Sequence, residues 1–111
     1  MEIKQILADT YTTLIPVGDL DASSSVYLDE VIRSLIDEGT FNVHVDFGET
    51  RYISSAGMGV FISYIEEIQQ NQGKMVLSNM TESVKDSFEL LGLHQLITIV
   101  AGKEEVEKLY T

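Results

Sequence analysis

Short β-branched runs alternate along the chain with longer segments of helical periodicity, and this order leaves few folds open. Two strand-like runs, residues 2–8 and 11–17, come first, and helical segments separate the apolar runs that follow. Helices that link successive strands favour parallel pairing, because the chain must cross over to return to the same edge. The pattern predicts an α/β fold, with a mixed, mostly parallel β-sheet of four to five strands covered by about four helices.

The spacing of hydrophobic residues predicts where the individual helices and strands lie. Apolar side chains recur at helical spacing over residues 28–36 and again over 58–68, whereas residues 41–47 alternate as a strand does. We expect residues 48–52 to form a loop between that strand and the second helix. The C-terminal part is predicted as a strand at 75–77, a helix that begins with a capping box of Asn79 and Glu82, a strand at 97–100 and a short helix at 103–110.

Pro16 is the only proline, and it constrains the sheet. Proline has no amide hydrogen, so in the middle of a sheet it would leave a neighbouring strand without a donor. We therefore expect Pro16 to lie at the end of a strand or at an edge of the sheet.

Length and charge limit what the protein binds. Its 111 residues suit one domain, residues 1–111, and its 18 acidic and 7 basic side chains give a formal net charge of −11. A surface of that sign repels phosphate backbones and anionic headgroups, so we expect no direct nucleic-acid or membrane binding and favour a basic protein partner. Charges at Glu2, Lys4 and Asp9 interrupt any signal-peptide core, which predicts a cytoplasmic protein.

Two adjacent serines mark the junction between a strand and a helix, in the sequence YISSAGMGVF at residues 52–61. Either Ser54 or Ser55 can cap the helix, since a serine hydroxyl accepts a hydrogen bond from the amides of the first turn. The same position favours an anion, because these amides and the helix dipole attract negative charge. Gly57 and Gly59 suit tight packing or the close approach of another chain. Capping and modification both stay open, and one serine can serve each.

A family resemblance rests on residues 46–61, DFGETRYISSAGMGVF, together with residues 18–22, GDLDA. These segments resemble the STAS-domain anti-sigma factor antagonists, and the resemblance extends over essentially the whole chain. The matching positions are Asp46 for the strand-end Asp, Ser55 for the phosphorylated Ser, Gly57 and Gly59 for the two motif glycines, and Gly18 and Asp21 for the earlier loop. Ser54 stands where the family usually has Asp.

The resemblance implies a function in partner switching. The unphosphorylated protein is expected to bind an anti-sigma factor with serine/threonine kinase activity and so to release a sigma factor. Phosphorylation at Ser55, with Ser54 as the alternative, is expected to end that binding, and a serine phosphatase to restore it. ATP and magnesium belong to the kinase, so no cofactor is expected for this chain, which has no phosphate-binding loop of its own.

Candidate partner-binding residues lie at two junctions between a strand and a helix: Asp19, Asp21, Ser54, Ser55, Gly57 and Met58. Two of them have another interpretation. Met58 has the helical spacing that is typical of a core residue, and Asp21 is suited to cap the first helix.

Other functions fit the residues less well. A serine hydrolase needs Gly-x-Ser-x-Gly, but residues 53–57 read ISSAG, and Ile62 stands where a dinucleotide-binding loop needs its third glycine. His44 and His94 have no further ligand at metal spacing, so we expect no enzyme and no metal site, and we interpret His44 as structural. The remaining alternative is a STAS scaffold that is not phosphorylated, or a subunit of a signalling or lipid-transport assembly.

Overall fold

The structure, a computed structural model, describes residues 1–111. The strands are β1 (Glu2–Leu7), β2 (Thr12–Leu20), β3 (Asn42–Asp46), β4 (Thr50–Ile53), β5 (Lys74–Ser78) and β6 (Thr98–Val100). The helices are α1 (Ala22–Asp37), α2 (Ser55–Gln70), α3 (Glu82–Leu90) and α4 (Lys103–Leu109), with a 3₁₀ turn at Leu93–Gln95.

All six strands belong to one sheet, whose main order is β1, β2, β3, β5, β6, while β4 pairs with β2. The first pair, β1 with β2, is antiparallel, and every other pair is parallel. The predicted fold class, a mixed and mostly parallel sheet covered by about four helices, is confirmed, and the sheet has six strands where four to five were expected.

Strand β2 has two parallel partners in succession. This explains why the expected position of Pro16 and the expected loop at residues 48–52 are wrong. It pairs with β3 through Thr12–Leu14 and with β4 through Gly18–Leu20, so Pro16 lies inside the strand, where the parallel partner changes. The missing amide hydrogen is tolerated there, and the Thr50 hydroxyl donates a hydrogen bond of 2.8 Å to the Pro16 carbonyl. Part of the expected loop at residues 48–52 is therefore strand β4.

The helices divide unequally between the two faces of the sheet. A core of 21 buried residues joins one face to α1, α2 and α3, and in it Phe47 meets Phe61 and Phe88 edge to face. On the other face α4 packs its Val106 against Val76, with Tyr110 completing this small cluster. Helices α1 and α2 thus lie side by side on one surface of the protein.

The third helix begins differently from the prediction. Its cap is Thr81, whose hydroxyl accepts a hydrogen bond of 3.2 Å from the Val84 amide. Asn79 instead has a left-handed backbone with φ of 56°, and its amide bonds to the Ala101 carbonyl. The expected capping box of Asn79 and Glu82 is wrong, because Asn79 turns the chain before the helix starts.

Candidate functional site

The site is built where two neighbouring parallel strands end. Leu20 closes β2 and pairs with Ile53, which closes β4, and the Ser54 amide donates a hydrogen bond of 2.8 Å to the Leu20 carbonyl. Helices α1 and α2 follow directly. The end of β2, which carries Asp19, and the junction that carries the two serines are therefore brought together, as expected for the carboxyl ends of parallel strands.

Ser54 is the cap of α2. Its backbone is extended, with φ of −85° and ψ of 168°, and its hydroxyl accepts a hydrogen bond of 3.1 Å from the Gly57 amide. Its carbonyl accepts the first helical hydrogen bond, from Met58 at 3.0 Å. The Ser54 hydroxyl is thus engaged in holding the helix.

Ser55 has a different position. It is the first residue of α2, and its side chain is exposed to solvent. The two serines therefore differ, since Ser54 caps the helix while Ser55 is exposed to solvent.

The end of α2 that carries Ser55 is electrostatically suited to an anion. The helix has 16 residues, and its first turn contains no acidic side chain. The partial positive charge of the helix end is therefore not offset by a local carboxylate. A phosphate on Ser55 would lie against this charge and near the free amides of the first turn.

The two motif glycines have opposite environments. A Cβ on Gly57 would lie 3.0 Å from Ile53 Cγ1, 3.3 Å from Ser25 Oγ and 3.4 Å from Leu20 Cβ. Gly57 is buried, so its missing side chain lets α2 pack against the sheet and α1. A Cβ on Gly59 would meet nothing within 4 Å, so the packing explanation holds only for Gly57.

Met58 belongs to the hydrophobic core, where it is only 4% exposed. It has almost no surface to offer a partner, so the structure agrees with the core interpretation of Met58 and contradicts its assignment to the contact surface.

The carboxylates of Asp19, at the end of β2, and Asp21, at the start of α1, make local contacts. Asp19 Oδ1 lies 3.4 Å from Arg51 Nε on β4, and both side chains are largely exposed. Asp21 caps α1, since its Oδ1 accepts hydrogen bonds from the Ser24 amide at 2.9 Å and the Ser23 hydroxyl at 3.0 Å. The Ser24 amide and hydroxyl, followed by the Ser23 hydroxyl, lower the pKa of Asp21. Both residues are exposed to solvent.

His44 lies away from these junctions, inside the sheet, where it is 4% exposed. Its Nδ1 is 2.9 Å from the Thr13 hydroxyl and its Nε2 is 2.5 Å from the Ser78 hydroxyl. Burial lowers the pKa of His44, and the charge of Asp46 opposes this shift only in part. The structural interpretation of His44 agrees with these contacts.

Two other kinds of site, a metal site and a membrane-spanning segment, have no support in the structure. His, Cys, Asp and Glu side chains nowhere gather in threes in a way that could hold a metal ion. None of the helices combines the length and the apolar character needed to cross a membrane.

Comparison with known proteins decides the family. The model for the STAS domain matches residues 3–106. The chain belongs to the STAS domain family. The anti-sigma-B factor antagonist of Staphylococcus epidermidis is similar to this STAS domain over 104 residues, with 28% identity, and the match covers 94% of this chain and 96% of that protein.

Solved structures share the fold of this STAS domain. An anti-sigma factor antagonist from Mycobacterium paratuberculosis superimposes with a TM-score of 0.89 at 12% identity, covering 98% of this chain and 92% of that one. The Bacillus cell fate determinant SpoIIAA in its phosphorylated form superimposes with a TM-score of 0.74 at 16% identity, covering 97% of this chain and 99% of that one. These likenesses confirm the fold that the sequence predicted.

This STAS domain also has two exposed apolar residues, on β4 and α1, that the sequence did not single out. Tyr52 is 53% exposed on β4, and Val26 is 61% exposed on α1. The signal for Tyr52 was hidden, because the segment that carries it was interpreted as a loop. Val26 directly precedes the helical pattern that was recognised at Leu28.

Proposed function

We propose that this STAS domain is an anti-sigma factor antagonist that works by partner switching. Its unphosphorylated form binds an anti-sigma factor that is also a serine/threonine kinase, and phosphorylation of Ser55 by that partner ends the binding. The observation that carries the proposal is the exposed position of Ser55 at the start of α2, next to a different serine that caps the helix. The name of the Staphylococcus epidermidis relative supports the class of partner.

The chemistry of the switch is a phosphoryl transfer. The Ser55 hydroxyl oxygen attacks the γ-phosphorus of ATP held by the kinase, the bond between the γ-phosphorus and the β,γ-bridging oxygen breaks, and ADP and a proton leave. A serine phosphatase hydrolyses the new phosphate ester and restores the hydroxyl. This chain contributes the nucleophile and its position, and the kinase contributes ATP and magnesium.

The switch depends on a difference between the free protein and the complex: the folded protein tolerates a phosphate on Ser55, whereas the complex with the kinase does not. A phosphate adds about −1.5 to −2 charges, which the amino end of α2 stabilises in the free protein. Within a contact, the same phosphate has to lose the water that surrounds it. Each 1.4 kcal/mol of that penalty weakens binding about tenfold. The existence of a phosphorylated form of SpoIIAA, which shares this fold, supports the proposal.

The proposal is tested with the purified anti-sigma factor kinases encoded in the same genome. Incubation with ATP and magnesium should add one phosphate to the intact mass of the wild-type protein, and peptide mapping should place it on Ser55. Ser55→Ala should bind the kinase and stay unmodified, whereas the matched variant Ser54→Ala should still be phosphorylated. An unchanged wild-type mass with every kinase would contradict the switch and favour the unphosphorylated scaffold. A phosphate on Ser54 would contradict the assignment of the acceptor.

A further inference from the structure

The sheet has two free edges, and they differ in charge. Strand β1 pairs with β2 alone and strand β6 pairs with β5 alone, so each leaves one side of its backbone without a strand partner. Proteins commonly protect such an edge from other chains with charged side chains, a proline or a bulge. Strand β1 follows this rule, because Glu2 and Lys4 are exposed along it.

Strand β6 has no charge, proline or bulge. It consists of Thr98, Ile99 and Val100, and no Asp, Glu, Lys or Arg occurs in residues 90–102 of a chain with a net charge of −11. Its three β-branched residues favour pairing in a sheet. The unpaired backbone of an edge strand bonds best to another extended strand, so the edge itself indicates the kind of segment that covers it.

A strand of three residues forms few hydrogen bonds, so the surface beside it has to supply most of the contact. Three leucines are exposed there. Leu90 and Leu91, at the end of α3, are 85% and 54% exposed, and Leu96, two residues before β6, is 58% exposed. Leucines this exposed gain free energy when another molecule removes them from water.

The charges next to the edge favour a second copy of this chain as the other molecule. Lys85 and Glu89 of α3 line the same cleft of about 500 Å³ as Ile99 and Val100 of β6. Both are exposed, and neither forms an ion pair within the chain. One free charge of each sign on the same helix face is self-complementary, because a two-fold axis brings each charge of one copy to the opposite charge of the other.

We propose that β6 and the adjoining face of α3 form a dimer contact between two copies of this chain. The two β6 strands pair antiparallel across a two-fold axis, so that one sheet continues through both copies. Lys85 of each copy faces Glu89 of the other, and the exposed leucines of the two copies border the contact. Strands β3 and β5 separate β6 from β2, so the dimer leaves the serine junction free to bind a kinase.

The test is sedimentation equilibrium of the purified protein over a wide range of concentration. The wild-type mass should rise from 12.4 kDa toward twice that value. Thr98→Lys puts like charges on both edges and should weaken the dimer about tenfold or more. Thr98→Val keeps the β-branched shape and should dimerise at least as well as the wild type. Gln5→Lys, on the free edge strand β1, is the control and should dimerise as the wild type does. Circular dichroism checks that each variant is folded.

A pair of charge variants tests the two-fold axis. Lys85→Glu and Glu89→Lys should each weaken self-association, since each puts like charges opposite one another. An equal mixture of the two variants should form a heterodimer, because the acidic face of one then meets the basic face of the other. The matched control is Lys103→Glu with Glu107→Lys on α4, where neither variant should change the association.

The opposing results are specific. A wild type that stays monomeric at every concentration overturns the dimer; if hydrogen exchange at β6 then slows only when the kinase is added, a strand of that protein covers the edge. A dimer that survives in Thr98→Lys lies elsewhere on the surface. If Gln5→Lys also abolishes association, β1 of one copy pairs with β6 of the next, which overturns the two-fold contact. A mixture of the charge variants that fails to associate overturns the pairing of Lys85 with Glu89. None of these results bears on the switch at Ser55, which the phosphorylation assay tests separately.

Discussion

The Gly57 amide donates its hydrogen bond to the Ser54 hydroxyl, and this bond of 3.1 Å separates the roles of the two serines. We predict that Ser54→Ala lowers the free energy of unfolding by about 1 kcal/mol, since it removes the cap of α2. Ser54→Asp should keep the stability, because a carboxylate accepts the same hydrogen bond. Urea unfolding measures both variants. Ser55→Ala is the control and should change stability by less than about 0.5 kcal/mol; a larger loss there than in Ser54→Ala would reverse the roles.

A second prediction concerns charge at Ser55. Ser55→Asp should unfold at the wild-type temperature or slightly above, since a carboxylate in the first turn of a helix gains roughly 0.3–1 kcal/mol from the helix dipole. The same variant should bind the anti-sigma factor kinase more weakly than Ser55→Ala, because the carboxylate has to be desolvated in the contact. Melting curves and titration calorimetry on the two variants decide it. Equal affinities would show that Ser55 lies outside the interface.

Alanine at the two motif glycines should act in opposite directions on stability. At Gly57 the new methyl group would lie 3.0 Å from Ile53 Cγ1, so we expect a loss of about 1–3 kcal/mol from overpacking. At Gly59 the methyl group meets nothing within 4 Å, so we expect a gain of up to about 1 kcal/mol from helix propensity. The two variants share one helix and one change in composition, so each is the control for the other in urea unfolding. The same sign for both would contradict the assigned environments.

These predictions show how far the sequence alone could lead. The helices were predicted from the spacing of their apolar residues. The junction at the two serines was predicted because the sequence changes from strand-like residues to helical spacing between Tyr52 and Met58. Strand β4 was missed because its buried residues, Thr50 and Ile53, enclose two exposed ones and so give no alternation. Pro16 was misplaced because the change of partner along β2 is a property of the whole sheet.

The site was predicted less fully than the fold, for a related reason. The sequence placed two hydroxyls at one helix end, but which of them faces the amides depends on the backbone angles of Ser54. Met58 and Gly59 are neighbours in the sequence, yet the rotation of α2 about its axis buries one and exposes the other. The helical spacing of Met58 indicated the buried side, but the close packing of Gly57 against Ile53 and Ser25 is a tertiary contact that sequence patterns do not report.

The buried His44 predicts a dependence of stability on pH. Burial lowers its pKa below the ordinary value of 6.5, so the unfolded chain binds a proton at a higher pH than the folded protein does. The free energy of unfolding should therefore fall as the pH drops from about 6.5 toward the pKa of the folded state. Urea unfolding between pH 5 and 8 measures it, and His44→Gln should lose this part of the dependence. His94→Gln, at an exposed position, is the control. An identical slope in wild type and His44→Gln would exclude His44 as the cause.

Tyr110 ties the C-terminal segment to the sheet by one buried hydroxyl. Its oxygen lies 2.9 Å from the Val43 carbonyl and 2.8 Å from the Lys74 carbonyl, and its ring stacks on Tyr11 with centroids 4.7 Å apart. Tyr110→Phe keeps the stacking and removes the donor, so we expect a loss of about 1–3 kcal/mol from carbonyl groups left without this partner. Tyr27→Phe, on the exposed side of α1, is the control. Because α4 lies across the sheet from Ser55, Tyr110→Phe should leave the affinity for the kinase unchanged below its melting temperature. A loss of affinity in the folded variant would show that the two faces of the sheet are coupled.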